Sequence, residues 1–600
     1  MSLTFDSDVS LNATDAAVFL SERDVAGQIP INFVTTSAVN LQSACFGDNV
    51  YEEHAAGKCI SNLLAVGYRH FIVDIYWSPD QRDWLFCPVS IPQDDTVVTV
   101  SSTYTTATTT TTDAARATVT ETATPSGSTV YELGPYRCSK HLNLSDLISV
   151  FHDFFRTYSS ELTVYTRYIS LNLHAGASAT TPEKPASTIT GSHLPTGSEY
   201  ISSLFDDHLS SYIYMPSQLA AERANLNESW YEVEDDYKPI TEYFTINEAA
   251  NGDQSTPDGW PCTKFLQLAK QKRLLLEYGT IDPQMQDYNL SYMPDIIFPQ
   301  NYLTSTISVS LDADNTLSTS GCFYNPSATT ISQANSSWAQ SNYIPIPSAP
   351  TRNMTLTEMS LVISNLTACG LTPTLNTTLF NQTANSAIAP YTDISLSTSW
   401  AWAIGQPADA ASSSSSSTNG SIDRCAVMDL TTPGGHWHAI NCTESHYSAC
   451  RVQNDPFTWQ LSPSTHTFAN AYSAGSCPKN SSMAIPRTGL ENTYLYQYLL
   501  TRTDVLDPSS ENPVMTKVWL DFNSIDVESC WVTGGPNVDC PYASDPQQLE
   551  RRTVLVAAIA GIVICIIAAL TLFVKCNANR RNSRRGKRLI KGWEYEGVPS

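Results

Sequence analysis

Histidines and cysteines are most concentrated between residues 436 and 450. His436, His438, Cys442, His446 and Cys450 follow one another at intervals of two to four residues. Imidazole nitrogens and thiolates at short spacings are the ligand types that zinc prefers. The same cysteines would form disulfides in an oxidising compartment, so the location of this region decides between the two chemistries.

A hydrophobic run near the C-terminus indicates that location. Residues 553–574 contain 22 residues without a charge, which is long enough for a helix to cross a bilayer core of about 30 Å. Two arginines precede the run, and eight basic residues follow it. The excess of positive charge on one side predicts a single-pass type I membrane protein with a cytoplasmic C-terminus.

The charge of the chain is divided in the same way. Residues 575–600 hold eight basic and two acidic residues and therefore carry a net charge of +6. Since the whole chain carries −25, the residues before them carry −31. This acidic mass argues against direct nucleic-acid binding, which depends on neutralising phosphates. The basic tail acts as the orientation signal, and we expect it also to bind anionic lipids at the membrane surface.

The predicted topology requires the N-terminal part to enter a lumen or the extracellular space. The first 20 residues show no basic segment followed by an apolar one, the pattern of a signal peptide. We therefore expect a signal peptide that is missing from this sequence.

Cysteines and glycosylation motifs support an oxidising compartment. Thirteen cysteines precede the hydrophobic run, an odd number, so at least one is expected to be free or to pair elsewhere. Disulfides are thus favoured over zinc, and we expect no metal and no cofactor. The Asn-x-Ser/Thr glycosylation motifs, all on the predicted lumenal side, are Asn12, Asn143, Asn227, Asn289, Asn335, Asn353, Asn365, Asn376, Asn381, Asn419, Asn441 and Asn480.

The elements that must position any site alternate between helices and buried strands over residues 1–300. Residues 63–77 pass from a short helical end through Gly67 into an apolar, β-rich stretch. A helical pattern covers residues 144–158, and a second strand pattern covers residues 163–175. This alternation predicts a parallel α/β sheet or barrel. Residues 96–129 include 15 threonines in 34 positions and are expected to form a disordered, O-glycosylated insertion.

Short β-type runs with many polar residues begin near residue 301. They predict a second, β-rich lumenal module over residues 301–540, with Cys530 and Cys540 as a final disulfide pair. A polar stalk at 541–552 then leads to the membrane segment.

The segment GYRHFIVD resembles the second barrel strand of the phosphatidylinositol-specific phospholipase C superfamily. Gly67, Arg69 and Asp74 match that pattern, and His174 in YISLNLHA matches a later strand. The resemblance implies a (β/α) barrel whose cleft holds Arg69, Asp74 and His174. Phosphodiester cleavage there needs a general acid and base, usually two histidines, and a cation on the phosphoryl oxygens.

Several positions depart from that family and indicate a degenerate barrel. No histidine lies in residues 28–42, Cys87 and Pro88 replace a His-Gly pair, and Asn172 and Ile72 stand where metal-dependent members carry glutamate. Because such groups act as a unit, the chain is expected to be non-catalytic. In the simpler interpretation, Asp74 and His174 are polar side chains satisfied at the end of a strand.

Residues 353–452 resemble a C-type lectin-like fold in the order of their cysteines. The resemblance implies pairs between Cys369 and Cys450 and between Cys425 and Cys442. The calcium ligands of sugar-binding members, commonly Trp-Asn-Asp, are replaced here by Trp437-His438-Ala439, so calcium-dependent sugar binding is not expected. A small disulfide-stapled β module of unrelated topology explains the same cysteines equally well.

From residue 21 to the ending GWEYEGVPS, the whole chain resembles the fungal maintenance of telomere capping protein 6 family. The resemblance implies a single-pass glycoprotein linked to telomere capping without an assigned molecular activity. We expect an indirect, non-catalytic role, with a lipid head group, glycan or protein as the lumenal ligand. The alternative is a lumenal phosphodiesterase or hydrolase that acts on a lipid head group or glycan.

Overall fold

The α-helices range from four to seventeen residues. In this computed structural model the described residues are 3–91, 98–99, 120–123, 129–312, 317, 321–347, 351–407, 423–473 and 475–542. Their α-helices are α1 (Ala13–Val25), α2 (Leu41–Phe46), α3 (Glu53–Ala65), α4 (Leu144–Thr157), α5 (Ile201–Leu209), α6 (Pro216–Ala224), α7 (Arg352–Ala368), α8 (Ile388–Leu396), α9 (Phe468–Ala471), α10 (Gly489–Leu500) and α11 (Pro513–Thr516).

The strands are short except for a few long ones that carry the two main sheets. They are β1 (Ala38–Asn40), β2 (Val50–Tyr51), β3 (His70–Ser78), β4 (Asp83–Leu85), β5 (Val89–Ser90), β6 (Val98–Thr99), β7 (Thr120–Ala123), β8 (Thr129–Leu133), β9 (Tyr136–Cys138), β10 (Arg167–Ala175), β11 (Ala177–Ser178), β12 (Asn247–Glu248), β13 (Gln254–Ser255), β14 (Leu274–Ile281), β15 (Ser305–Ile307), β16 (Ala339–Ser341), β17 (Thr374–Leu375), β18 (Asp423–Asp429), β19 (Trp437–Asn441), β20 (Tyr447–Val452), β21 (Trp459–Leu461), β22 (Ser481–Met483) and β23 (Lys517–Asn523).

A parallel sheet forms the centre of the α/β part. Its strand order is β14-β10-β3-β1-β17, with β4 antiparallel on β3. The β-branched and aromatic residues of β3 favour an extended conformation. Most residues of β3 are buried, as expected for a strand of a parallel sheet that is covered on both faces. The predicted parallel α/β sheet is confirmed. Because β17 pairs with β1, the α/β part extends past the predicted boundary at residue 300.

Helix α4 covers one face of this sheet. Asn143 caps the helix with Asp146 in a reciprocal pair of hydrogen bonds, which satisfies backbone N–H groups that have no partner within the helix. The apolar residues of α4 recur at helical spacing, and Phe151 meets Phe71 of β3 with ring centroids 5.3 Å apart. The helix predicted over residues 144–158 is thereby confirmed.

A mainly antiparallel sheet forms the later, β-rich part. Its order is β19-β18-β23-β20-β21, with β22 beside β20, and the β20 and β23 pair is parallel. Trp437 and Trp519 are fully buried within it. The predicted β-rich, disulfide-containing region is confirmed.

A buried ionic cluster joins this sheet to α10. The carboxylate of Glu491 lies 2.9 Å from Nη2 of both Arg451 and Arg487 and accepts a hydrogen bond of 2.6 Å from Tyr243. Burial raises the pKa of Glu491, but the two arginines outweigh burial and the pKa lies below its ordinary value. The three charged groups therefore stay ionised inside the protein.

One of the two disulfides implied by the lectin-like resemblance is present. Cys425 and Cys442 form a disulfide. The implied bond between Cys369 and Cys450 is wrong, because Cys369 pairs with Cys322. The backbone N–H of Phe323 donates to the carbonyl of Cys369 at 3.1 Å, and this contact at the end of α7 places Cys322 beside its partner.

Cys450 is bound to Cys477 instead. It lies in β20 opposite Met483 of β22, so the segment leading into β22 runs alongside it. The β-rich region therefore keeps only the inner pair of the lectin-like pattern.

The remaining cysteines include one free thiol. Two disulfides join Cys45 to Cys59 and Cys87 to Cys138, and Cys530 and Cys540 are each disulfide-bonded. Among the described residues Cys262 is a free, buried cysteine, as the odd count predicted.

Several predicted segments lie outside the described residues. They include most of the threonine-rich insertion at 96–129, nearly all of the stalk at 541–552, the membrane segment at 553–574 and the tail at 575–600. Within the described residues, no helix combines the length and apolar character needed to span a bilayer.

Candidate functional site

Polar side chains of β1, β3 and β10 meet between the middle and the carboxyl end of the parallel sheet, and we call this group the carboxyl-end cluster. Asn40 ends β1, Asp74 lies in β3, and Asn172 and His174 lie in β10. The register places Asp74 opposite Asn172 and His174 opposite Tyr76. Because side chains two residues apart share one face of a strand, these residues all point to the same side of the sheet.

Asp74 is the centre of this group. Its Oδ2 accepts a hydrogen bond from Nδ2 of Asn40 at 3.1 Å, and its Oδ1 accepts one from Nδ2 of Asn172 at 2.9 Å. Nε2 of His174 lies 3.1 Å from the same Oδ1. Only 14% of the Asp74 side chain is exposed, so the carboxylate depends on these three partners rather than on solvent.

His174 lies between two carboxylates. Its Nδ1 is 2.8 Å from Oδ2 of Asp282, the residue that directly follows β14. The ring of Tyr76 stacks on the imidazole with centroids 4.8 Å apart. Both ring nitrogens of His174 are therefore engaged with acids, and the ring is held in one orientation.

The electrostatics of the pair follow from these contacts. Burial raises the pKa of Asp74, but the hydrogen bonds from His174 and Asn172 outweigh burial, so its pKa lies below the ordinary value of 3.8. Burial lowers the pKa of His174, but the bonds to Asp74 and Asp282 outweigh burial and raise its pKa above 6.5. The arrangement favours a carboxylate beside an imidazolium.

A cavity of about 320 Å³ lies beside His174. Its lining includes Tyr76, Tyr136, His174, Asp282 and the exposed Lys184. This combination of a cation, a carboxylate and aromatic rings suits a small polar ligand.

A second chain of hydrogen bonds lies deeper on the same side of the sheet. Nε2 of His70 is 2.8 Å from Oγ of Ser170, which donates to Oε1 of Glu277 at 2.8 Å. Burial lowers the pKa of His70 to about 4. His70 is therefore neutral at physiological pH, and this chain ties three strands together.

A family model matches most of the α/β part. The model described as the MTC6 partial TIM-barrel domain covers residues 9–398. This chain belongs to the maintenance of telomere capping protein 6 family.

Full-length relatives agree with that assignment. A maintenance of telomere capping protein 6 from Meyerozyma guilliermondii is 23% identical over 97% of this chain and 94% of the relative. One from Candida albicans is 24% identical over 98% of this chain and 95% of the relative. One from Saccharomyces cerevisiae is 26% identical over 76% of each chain. No solved structure matches.

In this family member the phospholipase-like residues do not all converge. Asp74 and His174 are in contact, and Asn172 joins them. Arg69 directly precedes β3, five residues before Asp74, and at about 3.3 Å per residue it lies about 16 Å away along the strand. Arg69 therefore belongs to the opposite end of the sheet from the carboxyl-end cluster.

The position expected to hold a second catalytic histidine is structural. Cys87 is bonded to Cys138 and cannot act on a substrate at the mouth of the sheet. Within the described part of the chain no group of three histidine, cysteine, aspartate or glutamate side chains is arranged to hold a metal ion.

Sequence reasoning did not find Asn40 and Asp282. Each is a polar residue at or just after the carboxyl end of a buried parallel strand. Ligand sites of α/β folds form at that position. The place of each residue at the end of a strand could therefore have marked it as a candidate site residue. Asn40 also caps α2 through its side chain.

The asparagines of the described glycosylation motifs are either exposed or partly buried. The side chains of Asn143, Asn365 and Asn441 are partly buried, and Asn419 lies outside the described residues. The exposed ones are Asn12, Asn227, Asn289, Asn335, Asn353, Asn376, Asn381 and Asn480.

Proposed function

We propose that this family member is a non-catalytic binding protein whose carboxyl-end cluster receives a lipid head group, a sugar or a peptide. Its relatives are named for the maintenance of telomere capping. In our proposal the chain contributes to capping indirectly, from a membrane, as a single-pass type I glycoprotein. The observation that carries the non-catalytic assignment is the engagement of both ring nitrogens of His174 by carboxylates.

A histidine held in this way is a poor general base. Proton abstraction requires a nitrogen with a free lone pair near the substrate, whereas the acids beside His174 raise its pKa and favour the protonated ring. The usual partner histidine is replaced by Cys87, which is locked in a disulfide. Loss of one member of such a pair costs orders of magnitude in rate.

The cellular setting is supported by features outside the cluster. Disulfides persist in secretory and extracellular compartments, and five are resolved as pairs in the described residues. Eight described glycosylation motifs present an exposed asparagine. A membrane segment at residues 553–574 and a basic tail on anionic lipids complete this proposal.

One observation favours the alternative of a phosphodiesterase or hydrolase. The cavity beside His174 includes a lysine, a histidine and two carboxylates, namely Lys184, His174, Asp282 and Glu183. An imidazolium could donate a proton to a leaving group there, and the lysine could stabilise negative charge. Activity is therefore the decisive measurement.

The test uses the full-length chain in detergent with phosphoinositides and glycosylated lipid anchors as substrates. We expect no turnover above that of Asp74→Asn and His174→Ala, together with ligand binding that both variants weaken. Asp153→Asn, which changes an acid on α4 paired with the exposed Arg156, is the matched control. Turnover that disappears in either cluster variant but survives in the control would show that the protein is an enzyme.

Cell fractionation tests the indirect role. We expect the chain in the membrane pellet, with a mass that falls after removal of N-linked glycans. A soluble nuclear pool bound to DNA would contradict the proposal.

A further inference from the structure

The amino-terminal end of the parallel sheet carries a group of arginines. Arg69 precedes β3, Arg167 begins β10, and Arg273 precedes β14. The backbone N–H of Tyr168 donates to the carbonyl of Arg69 at 2.8 Å, and that of Arg167 donates to the carbonyl of Arg273 at 2.7 Å. Arg69 and Arg167 thus lie level on adjacent strands, at the end opposite to the carboxyl-end cluster. Arg273 lies one position before Leu274, the residue that pairs with Arg167.

Two nearby guanidinium groups have protein acceptors. Arg273 donates through Nη1 to the carbonyls of Phe155 and Tyr158, at 3.0 and 2.8 Å. Arg23 donates to the carbonyl of Val164 at 2.9 Å and forms an ion pair with Asp24. Arg23 thus has a carboxylate partner, whereas Arg273 has two carbonyl acceptors and a buried Nε without one.

Arg69 and Arg167 are different. The Arg69 guanidinium packs on the rings of Tyr165 at 4.3 Å and Phe19 at 5.7 Å, and the charge of Glu22 also acts on it. Arg167 is 3% exposed, makes one long hydrogen bond of 3.5 Å to the carbonyl of Thr166, and has an unpaired buried Nε. Neither forms an ion pair with a described carboxylate.

Glu22, the acid whose charge acts on Arg69, forms its hydrogen bonds with other residues. Glu22 Oε1 accepts hydrogen bonds from Oγ of Ser399 at 2.6 Å and from the backbone N–H groups of Trp400 and Ala401 at 2.9 Å each. Burial raises the pKa of Glu22, and its hydrogen bonds and the charge of Arg69 offset this only in part. Burial and the neighbouring Arg69 together lower the pKa of Arg167 to about 9.

We propose that Arg69 and Arg167 bind a phosphate-type oxyanion at the amino-terminal end of the sheet. Guanidinium groups present paired N–H donors that match phosphate oxygens, and an anion between them supplies the missing acceptors and charge. Arg69 and Tyr165 are partly exposed, so the site opens to solvent on their side. The anion is either free phosphate or the phosphomonoester of a lipid head group.

The test measures binding to the full-length chain by calorimetry at constant ionic strength. Inorganic phosphate and the soluble lipid dihexanoyl phosphatidic acid are the two probes. We expect Arg69→Gln to weaken binding at least tenfold, and Arg156→Gln, which removes an exposed arginine of α4, to change it less than twofold. Tighter binding of the lipid probe assigns the head group as ligand, and equal or tighter binding of inorganic phosphate assigns free phosphate.

A chemical footprint keeps the test valid if Arg69→Gln does not fold. Phenylglyoxal modifies guanidinium groups, and phosphate should slow modification of Arg69 in the unaltered protein without affecting Arg156. Absence of binding for both probes, equal binding by Arg69→Gln, or equal modification rates with and without phosphate would each overturn the proposal.

Discussion

Replacing Asp74 by asparagine tests the electrostatic account of the carboxyl-end cluster. The change keeps the shape of the side chain but removes the charge that His174 faces at 3.1 Å. Since the pKa of His174 is raised by its two acids, the stability it contributes is fully present below pH 6.5 and is lost as the pH rises through its folded-state pKa. The pKa of Asp74 is lowered, so its contribution is present above pH 3.8 and is lost as the pH falls through its folded-state pKa.

The size of the effect follows from burial and hydrogen bonding. The side chains of Asp74 and His174 are 14% and 17% exposed, so solvent screens the pair only weakly. A hydrogen bond to a charged group contributes about 1.5–3 kcal/mol, and a neutral one about 1 kcal/mol. We therefore expect Asp74→Asn to lower the free energy of unfolding by about 2 kcal/mol at pH 5, and by about 1 kcal/mol at a pH where the imidazole is neutral.

Urea unfolding of the full-length chain, followed by tryptophan fluorescence at pH 5 and at pH 8.5, measures this difference. Asp153→Asn serves as the control, because its partner Arg156 is 73% exposed and the loss should be small at both pH values. A cost of Asp74→Asn that is the same at pH 5 and pH 8.5 would refute an ion pair between Asp74 and His174.

Three further predictions concern other parts of the chain. Glu491→Gln removes the carboxylate that forms ion pairs with two buried arginines and should cost about 3–5 kcal/mol in the same unfolding assay; a cost below 1 kcal/mol would contradict the buried cluster. Burial raises the pKa of Cys262 to about 12, so iodoacetamide at pH 8 should label it only after unfolding, and mass spectrometry that finds the label in the folded protein would be evidence against its burial. Nδ2 of Asn143, the atom that would carry a glycan, donates to Asp83 at 2.7 Å; glycopeptide analysis should find Asn143 bare and the exposed Asn335 occupied, and a fully glycosylated Asn143 would be incompatible with this contact.

Much of the α/β part was accessible from the sequence because its signals are local. The extended run at β3 and the helical spacing of α4 depend on residues within one element. The odd cysteine count likewise implied a free thiol, which is Cys262. The division predicted at residue 300 rests on a change in amino-acid composition. The sheet nevertheless continues to β17 at Thr374–Leu375, because strand pairing does not depend on the composition of the surrounding segment.

The candidate site was predicted in part. Asp74 and His174 meet as the resemblance to a phospholipase-like barrel implied. Asp282, which lies 108 residues after His174, carries no pattern of its own and becomes relevant only because β14 lies beside β10. Arg69 shares a short motif with Asp74, yet an extended strand carries the two residues to opposite ends of the sheet.

By itself the sequence determined the types of elements, the separation of acidic and basic charge along the chain and the chemistry that its side chains offer. Only the tertiary structure decided which of those side chains act together. Cys450, for example, lies beside Cys477 rather than Cys369 because β22 pairs with β20. Periodicity and charge are properties of neighbouring residues, whereas disulfide partners and site residues are set by contacts between strands that the chain brings together from distant positions.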